Sequence, residues 1–248
     1  MWLSSSKTHG WSAATVGLAL SGLWACGSAP PASLTDARPA EAELVPAIVD
    51  SPDSEDRRGT PRLVVLGDSL TAGLGLDPDE AFPARLQERL DSNGYELRVV
   101  DAGVSGDTTA GATRRLEWAL DGDVRLLIVA LGGNDGLRGL PVEQMKGNLK
   151  AIITTAEERG VQVLLAGMEA PPNYGPAYAD DFRNVFVDLA REHEVPLVPF
   201  LLEGVAGEAD LNQSDGIHPN AQGAERVAAH LWVTVEPMVR QVVEETGP

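Results

Sequence analysis

From about residue 61 onward, the chain alternates between short unbroken apolar runs and longer segments with apolar residues at helical spacing. Unbroken apolar runs are typical of strands that are buried on both faces of a sheet. Five such runs predict strands at residues 63–66, 97–100, 126–131, 161–166 and 195–198.

The segments between these runs place apolar residues three or four positions apart, which predicts amphipathic helices packed on the sheet. A last helix is predicted from near Pro219 through Val227 and Leu231, with Pro237 ending or kinking it. The residues that mark the four earlier helices are Phe82, Leu86 and Leu90; Leu116 and Leu120; Leu149, Ile152 and Ile153; and Phe182, Phe186 and Leu189.

Strands that alternate with helices imply a parallel sheet with helices on both faces. We therefore expect one α/β domain over residues 61–248, a three-layer α/β/α sandwich around a five-stranded parallel sheet. In such a sheet, ligands bind outside the carboxyl ends of the strands.

The residues before this domain differ in character. Residues 1–10 contain Lys7 and no acid, and residues 11–25 are uncharged but too few to span a bilayer. This pattern predicts a signal peptide over residues 1–25. Residues 27–60 contain five prolines, seven acids and three arginines without a sustained period, so residues 26–60 are interpreted as a disordered linker.

Leu23, Trp24, Ala25 and Cys26 resemble the lipobox of bacterial lipoproteins. The resemblance implies that Cys26 is lipidated and that the exported protein is anchored to the bacterial envelope. Because Gly27 is not an aspartate, the anchor is expected in the outer membrane, facing the periplasm. The alternative is ordinary secretion, with cleavage among residues 27–29. If Cys26 is lipidated, it is the only expected site of membrane association.

Charge and cysteine content exclude several classes of function. The 248 residues carry a formal charge of -18, which repels nucleic acids and anionic membrane surfaces. A single cysteine excludes an intrachain disulfide and a cysteine-based zinc site. The sequence also lacks a metalloprotease helix motif, a dinucleotide-binding glycine motif and a Walker loop, so we expect no metal and no cofactor.

Polar residues follow four of the predicted strands. Ser69 follows the first, Gly103 lies after the second, Asn134 follows the third, and Asp215 with His218 follows the fifth after a loop. Each has an ordinary interpretation as a helix cap, a turn residue or a solvated loop pair. Together at one sheet edge, they favour a serine acyl hydrolase with nucleophile, oxyanion donors, base and orienting carboxylate.

These blocks resemble the SGNH, or GDSL, hydrolase superfamily, and the resemblance covers residues 61–240. Further runs at 67–73, 105–109, 131–139 and 173–175 are similar to its thioesterase I/lysophospholipase L1/arylesterase branch. The resemblance implies a flavodoxin-like fold. It also implies Ser69 as nucleophile, His218 as general base, Asp215 as its partner, and an oxyanion hole made by the N–H groups of Ser69 and Gly103 and by the amide of Asn134.

The residue types fit this chemistry. A serine needs a neutral imidazole within reach to take its proton, and Asp215, three residues before His218, is placed to orient the ring. His9 lies in the export signal and His193 and His230 lie in helical segments, where surface positions are expected. An α/β-hydrolase is disfavoured because the chain has no G-x-S-x-G motif.

The predicted function is a serine esterase that forms an acyl-enzyme on Ser69, with a small-molecule acyl ester as its partner. Aryl and alkyl esters and lysophospholipids are the expected substrates, ahead of acyl thioesters, because an exported enzyme meets little acyl-CoA. Leu137, Pro171 and Tyr174 are expected to line an acyl groove, with loop packing as an equal alternative. Two other functions stay open: a carbohydrate acetylesterase of the same superfamily, and a non-catalytic binding lipoprotein. The sequence makes no prediction of oligomeric state.

Overall fold

The computed structural model describes residues 59–246. The predicted signal peptide, Cys26 and the linker up to residue 58 lie outside the described residues. Their predictions therefore stay predictions. Within residues 59–246, no helix combines the length and apolar character needed to cross a membrane.

A parallel sheet of five strands lies at the centre, in the order β2-β1-β3-β4-β5. The strands are β1 (Arg62–Gly67), β2 (Arg98–Gly103), β3 (Val124–Ala130), β4 (Gln162–Ala166) and β5 (Leu197–Val198). This order confirms the predicted α/β fold and matches the flavodoxin-like arrangement. The strand order reverses between β1 and β3, which is where such sheets bind their ligands.

The ends of the three strands around this point are level. Gly67 at the end of β1 pairs with Gly103 of β2 on one side and with Ala130 of β3 on the other. The loops that follow β1, β2 and β3 therefore leave the sheet from one edge, side by side.

Burial follows each strand's place in the sheet. The apolar residues of β1, β3 and β4 are almost all buried, as predicted. The prediction of burial on both faces is wrong for β2, where Val99 and Asp101 are half-buried, because β2 is an edge strand. β5 is shorter than predicted, since only Leu197 and Val198 pair with β4.

Six helices occur within the described residues: α1 (Phe82–Ser92), α2 (Thr109–Ala119), α3 (Gly133–Leu137), α4 (Val142–Glu158), α5 (Pro176–Glu192) and α6 (Ala221–Thr246). The apolar residues that predicted α1, α2, α4 and α5 are all buried, and so are Val227 and Leu231 of α6. The short helix α3 was not predicted, because its sequence is rich in glycine and polar residues.

Pro237 lies inside α6, so of the two predicted alternatives, an end or a kink at Pro237, the end of the helix is wrong. A proline removes one backbone hydrogen bond, to the carbonyl four residues earlier. That carbonyl belongs to Val233, whose side chain is 75% exposed. It therefore lies on the solvent face, where water can replace the lost donor.

Buried polar contacts fix the loops at the sheet edge. Arg115 of α2 forms an ion pair with Asp107 at 2.7 Å and donates to the carbonyls of Ala102 (2.7 Å) and Gly67 (2.8 Å). The buried Asp135 of α3 accepts from the N–H (2.9 Å) and the hydroxyl (2.7 Å) of Thr109. These contacts tie the loops after β1, β2 and β3 to one another through α2.

Candidate active site

Three side chains form one hydrogen-bonded chain at the carboxyl edge of the sheet. Ser69 follows β1, and Asp215 and His218 lie in the loop before α6. Ser69 Oγ lies 2.9 Å from His218 Nε2, and His218 Nδ1 lies 2.7 Å from Asp215 Oδ2. The structure thus brings together the three residues that the sequence predicted as nucleophile, base and orienting carboxylate.

A tight turn presents Ser69. The carbonyl of Asp68 accepts from the N–H of Ala72 at 3.0 Å, and the carbonyl of Ser69 accepts from the N–H of Leu74 at 3.0 Å. Gly67 is required just before it, because a Cβ there would lie 1.8 Å from Thr71 Oγ1. The chain therefore turns sharply at the end of β1 and leaves Ser69 half-buried at the edge.

Hydrogen bonds from backbone N–H groups to the Asp215 side chain hold the loop that carries Asp215 and His218. Asp215 Oδ1 accepts from the N–H groups of Ile217 (2.9 Å) and His218 (3.0 Å), while Oδ2 faces the imidazole. These backbone bonds and the bond to the His218 side chain lower the pKa of Asp215 to about 2. The side-chain amide of Gln213 donates to the carbonyl of Leu74 at 2.7 Å, which ties this loop to the Ser69 turn.

The two other described histidines lie elsewhere and are half-buried, rather than at the surface as predicted. His193, directly after α5, has its Nδ1 2.9 Å from Oε2 of Glu157 in α4. His230 Nε2 is 3.1 Å from the carbonyl of Phe200. Both are committed to other contacts.

Asn134 reaches the same edge from α3. Gly132 adopts a φ of 106° directly before the helix, a left-handed conformation that favours glycine and turns the chain out of β3. The half-buried Asn134 amide donates through Nδ2 to Asp68 Oδ2 at 3.1 Å. An amide has two N–H donors, so the second is not used by this bond.

Gly103 does not fit its predicted role. Its N–H donates to Asp101 Oδ1 at 2.8 Å and is not free to donate to an oxyanion, contrary to the prediction. The position has a packing reason to be glycine, because a Cβ there would lie 2.3 Å from the nitrogen of Ala72 in the Ser69 turn.

Another glycine in the same loop has a free donor. Gly106, at a φ of 80°, lies in a turn closed by a 3.0 Å bond from the N–H of Asp107 to the carbonyl of Val104. Its carbonyl accepts from Arg138 at 2.7 Å, which places the turn beside the end of α3. The N–H of Gly106 forms no hydrogen bond with any residue in the described part of the chain. Sequence reasoning missed this residue, although a glycine in the short loop three residues after the end of β2 was a visible signal.

The three residues predicted to line an acyl groove come from adjoining segments. Tyr174 donates through its hydroxyl to the carbonyl of Leu137 at 3.1 Å, and both side chains are exposed, by 42% and 50%. Pro171 is half-buried at the start of the Tyr174 segment. Leu137 ends α3, three residues after Asn134, so the two residues lie about one helical turn apart.

A pocket that the sequence analysis did not predict borders Ser69 and His218 directly. It measures about 290 Å³ when space open to solvent is included. Its apolar lining includes Leu70, Leu74 and Leu76 after β1 and Leu201 and Leu202 after β5. Neither Asn134 nor the patch of Leu137 and Tyr174 contributes to it. Among residues 59–246, no group of three or more His, Cys, Asp or Glu side chains is arranged to hold a metal ion.

Comparison with known proteins shows the family of this chain. Residues 65–226 match the GDSL-like Lipase/Acylhydrolase family. The chain belongs to this family. Esterase TesA of Pseudomonas aeruginosa is 44% identical over 178 residues, covering 71% of this chain and 89% of that protein. Thioesterase 1/protease 1/lysophospholipase L1 of Escherichia coli is 36% identical over 178 residues, covering 71% of this chain and 84% of that protein.

Solved structures of esterases share the fold of this GDSL family member. The crystal structure of TesA has a TM-score of 0.69 at 44% identity, covering 71% of this chain and 99% of its own. The psychrotrophic esterase EstA from Pseudoalteromonas sp. has a TM-score of 0.69 at 31% identity, covering 72% of this chain and 98% of its own.

Proposed function

We propose that this protein is a serine esterase that hydrolyses carboxylic esters through an acyl-enzyme on Ser69. The observation that carries the proposal is the hydrogen-bonded chain from Ser69 Oγ through His218 to Asp215, at 2.9 and 2.7 Å. A serine hydroxyl in contact with an imidazole that a carboxylate orients is the arrangement that activates serine for acyl transfer. The intact chain favours this function over a non-catalytic binding protein.

In the first step, Ser69 Oγ attacks the ester carbonyl carbon and His218 Nε2 takes the hydroxyl proton. Asp215 holds the ring with Nδ1 protonated, so that Nε2 is the free acceptor, and it stabilises the imidazolium that forms. Its low pKa keeps it ionised throughout this cycle.

The negative charge that develops on the carbonyl oxygen needs aimed donors. We assign this role to the N–H of Ser69, the second N–H of the Asn134 amide and the N–H of Gly106. Gly106 replaces Gly103 in the assignment because its N–H is free, whereas that of Gly103 is bound to Asp101.

The collapse of the tetrahedral intermediate to the acyl-enzyme suggests which apolar surface takes which part of the ester. His218 returns its proton to the leaving oxygen, so the alcohol portion lies on the His218 side. The pocket lined by His218 and Leu74 is therefore assigned to the alcohol, and the patch of Leu137 and Tyr174 to the acyl chain. Water, activated by His218, then releases the acid from Ser69.

The expected substrates are aryl and alkyl esters and lysophospholipids. The relatives named above, and the arylesterase of Vibrio mimicus at 37% identity, support this range. If residues 1–25 export the protein and Cys26 anchors it to the outer membrane, it meets little acyl-CoA, which favours esters over thioesters. Detection of a diacylglyceryl group on Cys26 by mass spectrometry tests the anchor; an unmodified, cleaved chain contradicts it.

The function is tested by initial rates on p-nitrophenyl esters, from acetate to palmitate, for the wild type and Ser69→Ala. Turnover by the wild type and its loss in a folded Ser69→Ala variant are expected. Equal inactivity of both folded proteins would favour a binding protein, and equal activity would place the chemistry at another residue. A rate confined to acetate would favour the acetylesterase alternative.

A further inference from the structure

Asp68 is a buried carboxylate that the reaction described above does not use. Its side chain is only 3% exposed, and it forms no ion pair with any described Lys or Arg residue. Burying a carboxylate without a cation is unfavourable unless hydrogen bonds replace water. We therefore expect Asp68 to have a role other than stabilising the fold.

Each carboxylate oxygen of Asp68 binds a different part of the site. Oδ1 accepts from the N–H of Leu70 at 3.0 Å, the residue directly after the nucleophile. Oδ2 accepts from Asn134 Nδ2 at 3.1 Å. Asp68 thus bridges the Ser69 turn after β1 and the amide donor after β3.

We propose that ionised Asp68 is a positioning residue that holds the Asn134 amide with its N–H donors toward the oxyanion. The inference rests on the proposed function. A carboxylate only accepts hydrogen bonds, so Asn134 must present its NH₂ group to it. One N–H then points to Asp68 and the second is available to substrate. A neutral acid could donate to the amide oxygen instead, and the amide would be free to turn over.

The charge state of Asp68 therefore determines how the Asn134 amide is held. Burial raises the pKa of Asp68 to about 6, against the lowering effects of the bonds from Leu70 and Asn134. The charged groups that face it are His218, which favours ionisation, and Asp107, which opposes it and is paired with Arg115. As the pH falls through about 6, Asp68 takes up a proton and the amide loses its fixed orientation.

Asp68→Asn tests the proposal, with Asp101→Asn as its matched control. Asp101 is a half-buried carboxylate whose pKa desolvation also raises to about 6, but it accepts from the N–H of Gly103, and no hydrogen bond within residues 59–246 joins it to the Ser69 turn or to Asn134. We expect Asp68→Asn to lower kcat by about tenfold to a hundredfold, a part of what losing an oxyanion donor costs, with KM within about threefold. Asp101→Asn should keep kcat within about threefold. Equal losses in the two variants would overturn the proposal.

The decisive measurement repeats Asp68→Asn in an Asn134→Ala background. If Asp68 acts through the amide, it has little further effect on kcat once the amide is gone. A loss of the same size in both backgrounds would overturn the inference. If Asn134→Ala lowers kcat and Asp68→Asn does not, this inference fails and the proposed function stands; if Ser69→Ala retains full activity, the proposed function itself fails.

The wild type provides a test that does not depend on the folding of a variant. As Asp68 takes up a proton below about pH 6, log(kcat/KM) should fall more steeply than one ionisation allows, by up to the loss of about tenfold to a hundredfold expected of Asp68→Asn. Asp101→Asn should keep that steeper fall. A wild-type profile that one ionisation describes in full would contradict a role for ionised Asp68.

Discussion

Two carboxylates beside Ser69 lie in opposite environments. Asp215 is exposed in a loop, and bonds from the backbone N–H groups of His218 and Ile217 and from the His218 side chain lower its pKa to about 2. Asp68, directly before Ser69, is buried, and desolvation raises its pKa to about 6. Asp215 is therefore ionised at neutral pH, whereas Asp68 takes up a proton as the pH falls through about 6.

The two carboxylates belong to two differently built halves of the site, one with Asp215 and His218 and the other with Asp68 and Asn134. The Asp215 and His218 half is local, since its partners lie within three residues in one loop. The Asp68 and Asn134 half joins residues 66 positions apart and depends on the packing of β1 against β3. In the proposed mechanism, the local half supplies the base, and the long-range half positions a donor to the oxyanion.

The largest effect is expected in the local half. Asp215→Asn should lower kcat by about ten-thousandfold, because an amide accepts poorly and allows the wrong imidazole tautomer. The p-nitrophenyl acetate rate measures this, with Asp210→Asn, an exposed acid at the edge of the same loop, as control. A loss below about tenfold would show that Asp215 does not orient His218.

The next effect tests the long-range half. Asn134→Ala should lower kcat by about a hundredfold to a thousandfold, since it removes one donor to the oxyanion. KM should change little, because the bond strengthens in the transition state. Steady-state kinetics on the same ester measures both constants, and an increase in KM with kcat intact would assign Asn134 to substrate binding instead.

The pH dependence of stability sharpens the contrast. Because the folded-state pKa of Asp68 lies above its ordinary value of 3.8, the folded protein holds the proton more tightly, and this group's contribution falls as the pH rises from about 4 to 6. The wild type should therefore lose about 3 kcal/mol relative to Asp68→Asn between pH 3.5 and pH 7.5. Urea unfolding at several pH values measures the difference. Parallel stability curves would contradict the raised pKa.

The smallest effect is expected outside both halves. Tyr174→Ala removes an exposed ring from the patch beside Leu137, and we expect a loss of a few-fold in kcat/KM on octanoate, with acetate unchanged. Val187→Ala, an exposed apolar residue of α5, is the control. The same loss on acetate and octanoate would indicate loop packing instead of acyl binding.

The sequence predicted the parts of the molecule that depend on local pattern. Apolar runs located the five strands, and spacing within one loop paired Asp215 with His218. The prediction of Gly103 as an oxyanion donor was wrong because its N–H donates to the side chain of Asp101. Composition does not reveal whether a neighbouring side chain uses a given N–H. Asp68, Gly106 and the pocket beside His218 arise from contacts between distant segments, as does the continuation of α6 past Pro237 on its exposed face.

We propose Ser69 as the nucleophile of this esterase. The most direct measurement is the intact mass, followed by peptide mapping, after reaction with a fluorophosphonate. One phosphonyl group on the peptide that contains Ser69, in the wild type and in Asp101→Asn but absent from Ser69→Ala, is the predicted result. Labelling of another residue, or equal labelling of Ser69→Ala, would contradict the account.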